Sequence, residues 1–439
     1  MTAPLFAGKN VLVLGLGILG GGVGAARFLA QEGAHVLVSD LRSEVELSSS
    51  VNELRALDAA IEFSFGPQEV RLLDGIDVIL RNPAVPREAE ILKEAAKCKI
   101  PVEMDASLFV KLLGHTNIIG VTGTRGKTTT ATLIAEIGRR AKRHVVFGGN
   151  IPGGSMLSLF HSVTPRSIIV LELSSWQLEG FGEAKLSPSI AVITNIFPDH
   201  LNRYPSMDAY VESKKVIYRY QSHDDHLFLN SHDPWSQEFL AEAKGSVIQF
   251  SPDDLPDHGW SLMIPGIHNR ANAAAAKAVS QHLYIDDETI RQAIESFPGV
   301  PHRLEVVRTL GGVTYVNDSA STMPEATMAA LAAFSSPIVL ICGGNDKGLA
   351  FDELGNLINR RVKSLVFLEG NGTEKLASVV EKNRIVSRTM SLSSALQAAR
   401  RTAVPGDIIL FSPAFTSFGM FKNEFDRGEK FKNMVMELK

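Results

Sequence analysis

Ile118-Ile119-Gly120-Val121-Thr122-Gly123-Thr124-Arg125-Gly126-Lys127-Thr128-Thr129-Thr130 passes from an apolar strand pattern into glycines, then into Gly-Lys-Thr, and continues from Ala131 as a helical pattern. Backbone N–H groups of such a turn cradle phosphate oxygens, a lysine neutralises the terminal phosphates, and a threonine hydroxyl at the helix start suits Mg2+. The spacing departs from the standard GxxxxGK[ST] pattern, because Val121 stands six positions before Lys127. The loop establishes phosphate binding within an α/β architecture, without separating an ATPase, a kinase, a GTPase or a ligase.

Outward from this loop, short apolar runs closed by Gly, Asn, Asp or Ser alternate with longer helical patterns over almost the whole chain. The runs include residues 11–15, 35–40, 77–82, 118–123, 168–174, 191–195, 338–343, 364–370 and 407–412. Such alternation reads as βαβ units in largely parallel sheets, covered by helices on both faces. Breaks fall near 101–107, after which a new strand leads into the phosphate loop, and near 297–303, where Pro298, Gly299 and Pro301 follow an alanine-rich helix at 271–280. Three α/β domains result, spanning 1–106, 107–300 and 301–439. The length of 439 residues also suggests three, at roughly 100–200 residues per domain.

Charge and cysteine content remove several function classes. Lys and Arg number 44 against 48 Asp and Glu, a formal charge of −4, so no basic field is present to hold a nucleic acid backbone. Cys98 and Cys342 are distant from one another and lack CxxC spacing, which argues against a disulfide framework or structural zinc and fits a reducing compartment. The uncharged stretch 10–26 carries six glycines and reads as strand, turn and helix rather than as a signal sequence or membrane span. A cytoplasmic protein without membrane insertion is expected.

Other motifs add chemistry. Gly15-Leu16-Gly17-Ile18-Leu19-Gly20 lies between a strand and a helix, and Asp40 ends the next strand, where an acid that binds ribose belongs. Glycines there let the backbone approach a pyrophosphate at a helix amino terminus, which any nucleoside diphosphate satisfies, UDP as well as NAD. A tight turn required only for packing is the competing reading. Glu172 interrupts the apolar strand of Val170-Leu171-Glu172-Leu173, a costly place for a carboxylate unless it meets a cation. Mg2+ held together with Thr128 would supply one, as would a salt bridge to a helix lysine. Asp199 and His200 follow another apolar strand, at the carboxyl edge of the sheet where α/β sites assemble.

Taken together, Thr122 to Thr128, Gly148-Gly149-Asn150, Leu171-Glu172-Leu173-Ser174-Ser175-Trp176-Gln177-Leu178, Asn195 to His200, His268-Asn269-Arg270-Ala271-Asn272 and Pro301-His302-Arg303-Leu304-Glu305 resemble the Mur ligase family of cell-wall precursor synthesis, a relative of folylpolyglutamate synthase. They span all three domains in the family's order. Within the family, the length, Tyr315-Val316-Asn317-Asp318-Ser319 and the ending Phe411 to Ser417 with Phe421-Lys422-Asn423 are similar to the branch that adds D-glutamate. The resemblance implies a Rossmann-like first domain that holds the UDP-linked substrate, a central P-loop ATPase-like domain with a parallel sheet, and a Rossmann-like C-terminal α/β domain that binds the amino acid.

What the resemblance implies for the reaction is specific. ATP phosphorylates the carboxylate of UDP-N-acetylmuramoyl-L-alanine, and D-glutamate attacks the acyl phosphate. Gly123, Thr124, Arg125, Gly126, Lys127, Thr128 and Thr129 hold the phosphates of ATP, with Asn269, Asn272, Arg303 and Asp318 around its base, ribose and phosphates. Gly17, Ile18, Leu19, Asp40, Arg42, Asn82 and Asn150 contact the UDP-sugar. Two Mg2+ ions lie near Thr128, Glu172, His200 and Lys214. Lys214 matches a lysine carbamylated by CO2, with Lys215 beside it as a competing match. Lys127, Glu172, His200 and Lys214 form the catalytic set, and Thr322, Lys347, Ser417 and Phe418 face the amino acid. The partners implied are small molecules, and the protein is expected to be a monomer.

Four positions leave the family pattern. Ala320 stands for a lysine, Glu424 for an aromatic residue that packs on glutamate, Arg125 for the commoner Asn, and Asn82-Pro83-Ala84 for Ser-Pro-Gly. The first two concern the acceptor, so a ligase for another amino acid such as L-glutamate is the nearest competing function. An NAD-dependent oxidoreductase built on the first glycine turn competes from another class, but it leaves Lys127, Glu172 and His200 without a task. A non-catalytic nucleotide-binding protein is the third reading.

Overall fold

A computed structural model describes the chain except residues 1–3, 18, 19, 58, 115–117, 151–153, 200–202, 256–259, 265, 347, 348, 418 and 419. It forms two compact units, residues 1–256 with 271–293, and 257–270 with 294–439.

The first unit contains two sheets. One has the strand order Ile61–Phe65, His35–Asp40, Asn10–Leu14, Val78–Arg81 and Val102–Glu103, all parallel. The other runs Ser246–Phe250, His226–Asn230, Ile190–Ile193, Ile118–Thr122, Ile168–Glu172 and Val145–Gly149, also all parallel. All five residues of Ile118–Thr122 are buried, as expected for a strand covered by helices on both faces. The uncharged stretch near the start folds as the strand Asn10–Leu14 followed by the helix Gly21–Gln31. Among the described residues no helix is long and apolar enough to cross a membrane.

The helix Asp105–Leu113 connects the sheets and was not evident as a helix in the sequence. It buries Ala106, Leu108 and Phe109 in a hydrophobic cluster shared by both sheets. Full burial of a side chain such as Phe109 contributes about 1.5–3 kcal/mol. The helix Ser175–Glu183 packs closely against this region, because a Cβ at Gly180 would stand 2.8 Å from the sulfur of Met104. Arg81, buried at the end of its strand, pairs with Glu179 of that helix at 3.1 Å, and Arg203 donates to the same carboxylate at 3.0 Å.

The second unit carries a mixed sheet in the order Glu305–Leu310, Val313–Asn317, Ile408–Phe411, Ile338–Cys342, Val362–Leu368 and Ile385–Thr389. Its first two strands are antiparallel, joined by Gly311 and Gly312 at φ 59° and 77°. Two successive left-handed residues make a tight hairpin turn that only glycine, Asn or Asp adopts readily. The pattern of parallel units gave no sign of this hairpin; Gly-Gly between two apolar strands was the available signal.

Candidate active site

Strand Ile118–Thr122 delivers the phosphate loop to the carboxyl edge of the central sheet, and helix Lys127–Arg140 leaves from it. Gly126 caps that helix at φ 80°, and a Cβ there would come within 2.1 Å of Asn272 Oδ1. Gly123, at φ 141°, would place a Cβ 2.0 Å from Thr194 Oγ1. Both glycines are therefore required by left-handed backbone and by contact. Lys127 Nζ donates to the carbonyl oxygens of Gly123 and Thr124 at 3.0 and 2.9 Å, curling over the loop's own backbone. Thr128 and Thr129 begin the helix.

Thr194 and Asn195, which the sequence reading did not single out as site residues, hold the loop in shape. Asn195 Oδ1 accepts from the Arg125 N–H at 2.9 Å, its Nδ2 donates to the Arg125 carbonyl at 3.0 Å, and its own carbonyl accepts from the Thr124 N–H at 2.8 Å. Their position just past a buried strand, beside the loop strand, was the signal available.

Glu172 ends the neighbouring strand and is 1% exposed. Asn150 Nδ2 donates to its Oε1 at 3.2 Å, while Oε2 has no hydrogen-bond partner among the described residues. No lysine salt bridge reaches it among those residues, which removes the competing reading from the sequence. A buried carboxylate oxygen without a donor is costly and calls for a cation. Asn150, assigned from the sequence to the UDP-sugar, is thus tied to Glu172.

Lys214 lies on helix Met207–Arg219 and is 2% exposed. Its Nζ donates to Thr122 Oγ1 at 3.2 Å and to the Gly123 carbonyl at 3.0 Å. Burial first, and then the charge of Lys127, hold its amine well below the usual lysine range, against the opposing pull of Asp199 and Glu172. Lys215 is a different case. Glu212 and Glu242 surround it at 2.9 and 2.8 Å together with Glu238, and these contacts outweigh burial to raise its pKa. The pair is thereby distinguished: the amine of Lys214 is held below the usual lysine range by burial, whereas that of Lys215 is held above it by three carboxylates.

At the carboxyl edge of the first sheet, Asp40 Oδ2 accepts from the N–H groups of Leu16 and Gly17 at 2.9 and 3.2 Å. Arg42 grips the same carboxylate through Nε and Nη2, both at 3.1 Å. Burial opposes ionisation of Asp40, yet these bonds together keep its pKa below the ordinary value. Asn82 backs the turn, since a Cβ at Gly15 would meet the Asn82 Cβ at 2.9 Å. Gly17, Asp40, Arg42 and Asn82 therefore converge, with Asp40 shaping the glycine turn.

In the second unit, Asp318 is 4% exposed and accepts from the Leu304 N–H at 3.1 Å and from the hydroxyls of Ser321 and Ser412 at 2.6 and 2.7 Å. Burial pushes its pKa up to about 6, despite those bonds. Both oxygens are satisfied within its own domain. Arg303 is exposed, Thr322 is half-buried and Ser417 is buried. Asn269 and Asn272 are both buried on helix Ile267–His282. Ile18, Leu19, His200, Lys347 and Phe418 lie outside the described residues. Among the described residues no group of three or more His, Cys, Asp or Glu side chains converges as a metal site.

A loop of this build, set on a parallel sheet with a buried carboxylate beside it, defines an α/β phosphate-loop enzyme of nucleoside triphosphate chemistry. Three family profiles match in chain order: the Mur ligase MurD-like N-terminal domain over residues 9–103, the Mur ligase middle domain over 121–260, and the Mur ligase, glutamate ligase domain over 302–415. The chain belongs to the Mur ligase family. It is 41% identical to the UDP-N-acetylmuramoylalanine--D-glutamate ligase of Roseiflexus sp. (strain RS-1), with 98% of each chain covered. It is 35% identical to the enzyme of that name from Acetivibrio thermocellus, with 97% of this chain and 96% of that one covered. Among solved structures, UDP-N-acetylmuramate-alanine ligase from Thermotoga maritima superposes with a TM-score of 0.62 at 20% identity, covering 97% of this chain and 99% of that one. MurF ligase from the same organism, in complex with ADP, gives 0.60 at 18%, covering 99% and 95%. These two likenesses concern the fold.

Proposed function

We propose that this chain joins D-glutamate to UDP-N-acetylmuramoyl-L-alanine at the expense of ATP, in cytoplasmic synthesis of peptidoglycan precursors. The observation that carries the reading is the pair at the foot of the phosphate loop: Glu172 with an unpartnered buried oxygen among the described residues, and Lys214 buried against Thr122 and Gly123 with its amine held well below the usual lysine range. Similarity over nearly the full length to ligases of that name supports the choice of substrates.

Residues 123–129 hold the phosphates of ATP, with Asn269, Asn272, Arg303 and Asp318 around the remainder of the nucleotide. A carboxylate oxygen of the donor attacks the γ-phosphorus, ADP leaves, the amine of D-glutamate attacks the carbonyl carbon, and phosphate departs with the donor's oxygen. The free oxygen of Glu172, the hydroxyl of Thr128, His200 and a carbamate on Lys214 form an oxygen-rich donor set that suits Mg2+. When bound, two Mg2+ ions neutralise charge on the phosphoryl group and on the attacked carboxylate. An unprotonated lysine amine adds through nitrogen to the carbon of CO2 and releases a proton, and the resulting carbamate anion gives Lys214 the oxygen atoms of a metal ligand.

The glycine turn, with Gly17, Ile18, Leu19, Arg42 and Asn82, holds the UDP-sugar, and Asp40 fixes the shape of that turn. Asn150 orients Glu172 from the side of the donor. Thr322, Lys347, Ser417 and Phe418 receive the amino acid. Domains 1–106, 107–300 and 301–439 divide these duties in a monomer. Purified protein given the donor, ATP and a panel of D- and L-amino acids should release phosphate and form product with D-glutamate. Turnover with L-glutamate alone would move the reading to another acceptor, and NAD binding without ATP turnover would overturn it.

A further inference from the structure

Among the described residues two arginines are almost wholly enclosed, and they differ in one respect. Arg81 is 1% exposed and has the carboxylate of Glu179 at 3.1 Å. Arg427, on helix Glu424–Met436, is also 1% exposed, but no carboxylate among the described residues lies within ion-pair distance of it. It is held by neutral oxygens: Nε donates to Ser319 Oγ at 3.0 Å, Nη2 to the Ser319 carbonyl at 2.8 Å, and Nη1 to the Phe415 carbonyl at 3.2 Å. A guanidinium has five N–H donors, so donors remain. Burial pushes its pKa down to about 10, still far above neutrality, so the charge persists. Glu424, one turn earlier on the helix, favours the charge from beyond ion-pair distance. An enclosed cation with no carboxylate in contact is an expensive arrangement that an anionic ligand would relieve.

The surroundings indicate where that ligand sits. Arg427 lines a cavity of about 230 Å3 at the carboxyl ends of the C-terminal strands, together with Gly344, Asn345, Ser417, Met420 and Phe421. Glu369 also lines it, but Arg388 engages that carboxylate at 2.6 and 3.2 Å, so among the described lining residues Arg427 is the charged group without an ion-pair partner. We propose that Arg427 is a specificity-determining residue whose guanidinium reads a carboxylate of the acceptor amino acid in this cavity. The inference rests on the ligase reading above. Its bonds to Ser319 and Phe415 aim the planar fork, and they tie it to the loops that carry Thr322 and Ser417. Charge on the acceptor is thereby sensed from beneath, at a residue that no motif in the sequence singled out.

The test compares kcat/KM for three acceptors, D-glutamate and its two amides: D-glutamine, which lacks the side-chain charge, and D-isoglutamine, which lacks the α charge. The wild-type enzyme should reject the amide of the carboxylate read by Arg427 by at least about 30-fold, the scale of a truncated buried charge pair. Arg427→Met should shrink that one discrimination to within about 3-fold while KM for ATP and for the UDP-sugar stays within about 3-fold of wild type. Arg427→Lys, which keeps charge but loses the fork, should fall between them and replaces the methionine variant if that does not fold. An Arg427 variant that slows all three acceptors equally, or keeps the wild-type discrimination, overturns the proposal. A wild type that forms no product with any acidic amino acid overturns the ligase reading itself, a distinguishable outcome.

Discussion

The amine of Lys214 lies 3.0 Å from the carbonyl oxygen of Gly123, so the side chain from helix Met207–Arg219 ends directly beneath the first glycine of the phosphate loop. Buried amines near another cation lose their proton readily, which is the state that reacts with CO2. Protein equilibrated with 13C-bicarbonate should therefore show a carbamate resonance that disappears in Lys214→Met and persists in Lys215→Met. A resonance that instead follows Lys215 would reverse the assignment. Lys215→Met should also lower stability modestly, by about 1 kcal/mol, because its three carboxylate partners are half-exposed and screened.

Glu172→Gln keeps the shape and the bond from Asn150 while removing the charge that its unpartnered Oε2 carries. Turnover should drop at least about 100-fold, equivalent to ~2.7 kcal/mol of lost transition-state stabilisation. Thermal stability should stay the same or rise, since an uncompensated buried charge has been removed. A variant with wild-type turnover and unchanged Mg2+ dependence would exclude Glu172 from the metal site.

Gly126→Ala brings a Cβ to within 2.1 Å of Asn272 Oδ1 at φ 80°. Nucleotide affinity should fall at least about 10-fold, and the added Asn272→Gly change should recover part of the associated stability loss by removing the clash. The backbone strain would remain, about 1 kcal/mol for a non-glycine residue at positive φ. Equal stability of the single and double variants, measured by thermal melting, would mean that the contact is not the limiting one.

Asp318 gives a pH signature of definite sign. Its folded pKa of about 6 exceeds the ordinary 3.8, so between these values the folded chain binds more protons than the unfolded one. Stability therefore falls as pH rises through that window and levels off above it, by up to roughly 3 kcal/mol from this residue. Denaturant melts of wild type and Asp318→Asn from pH 4 to 7.5 should show the wild type losing ground against the variant as pH rises. A gap independent of pH would contradict the buried, partly protonated state.

Much of the frame could be read in the sequence because buried parallel strands must be apolar and must stop where the chain turns. His35–Asp40 coincides with its apolar run, and Ile118–Thr122 and Ile338–Cys342 each stop one residue short of theirs. The connecting helix Asp105–Leu113 escaped because its apolar residues merge with the strand that follows. The hairpin at Gly311 and Gly312 escaped because alternation reports burial and not strand direction. At the site, the phosphate loop, Glu172 and Lys214 were legible as motifs. What separates Lys214 from Lys215 was not, since it depends on Glu238 and Glu242 from a later helix. Asn195 holds the Arg125 backbone N–H and carbonyl, and Arg427 is held by two backbone carbonyls and the Ser319 hydroxyl, contacts that leave no spacing rule behind.

Activation of the donor's carboxylate by ATP leaves an isotopic record in the phosphate released. UDP-N-acetylmuramoyl-L-alanine labelled with 18O in its carboxylate should yield, with ATP and D-glutamate, inorganic phosphate carrying one labelled oxygen per amide bond formed. Unlabelled phosphate accompanying product would contradict the acyl-phosphate route assigned to the loop and to Glu172 and Lys214.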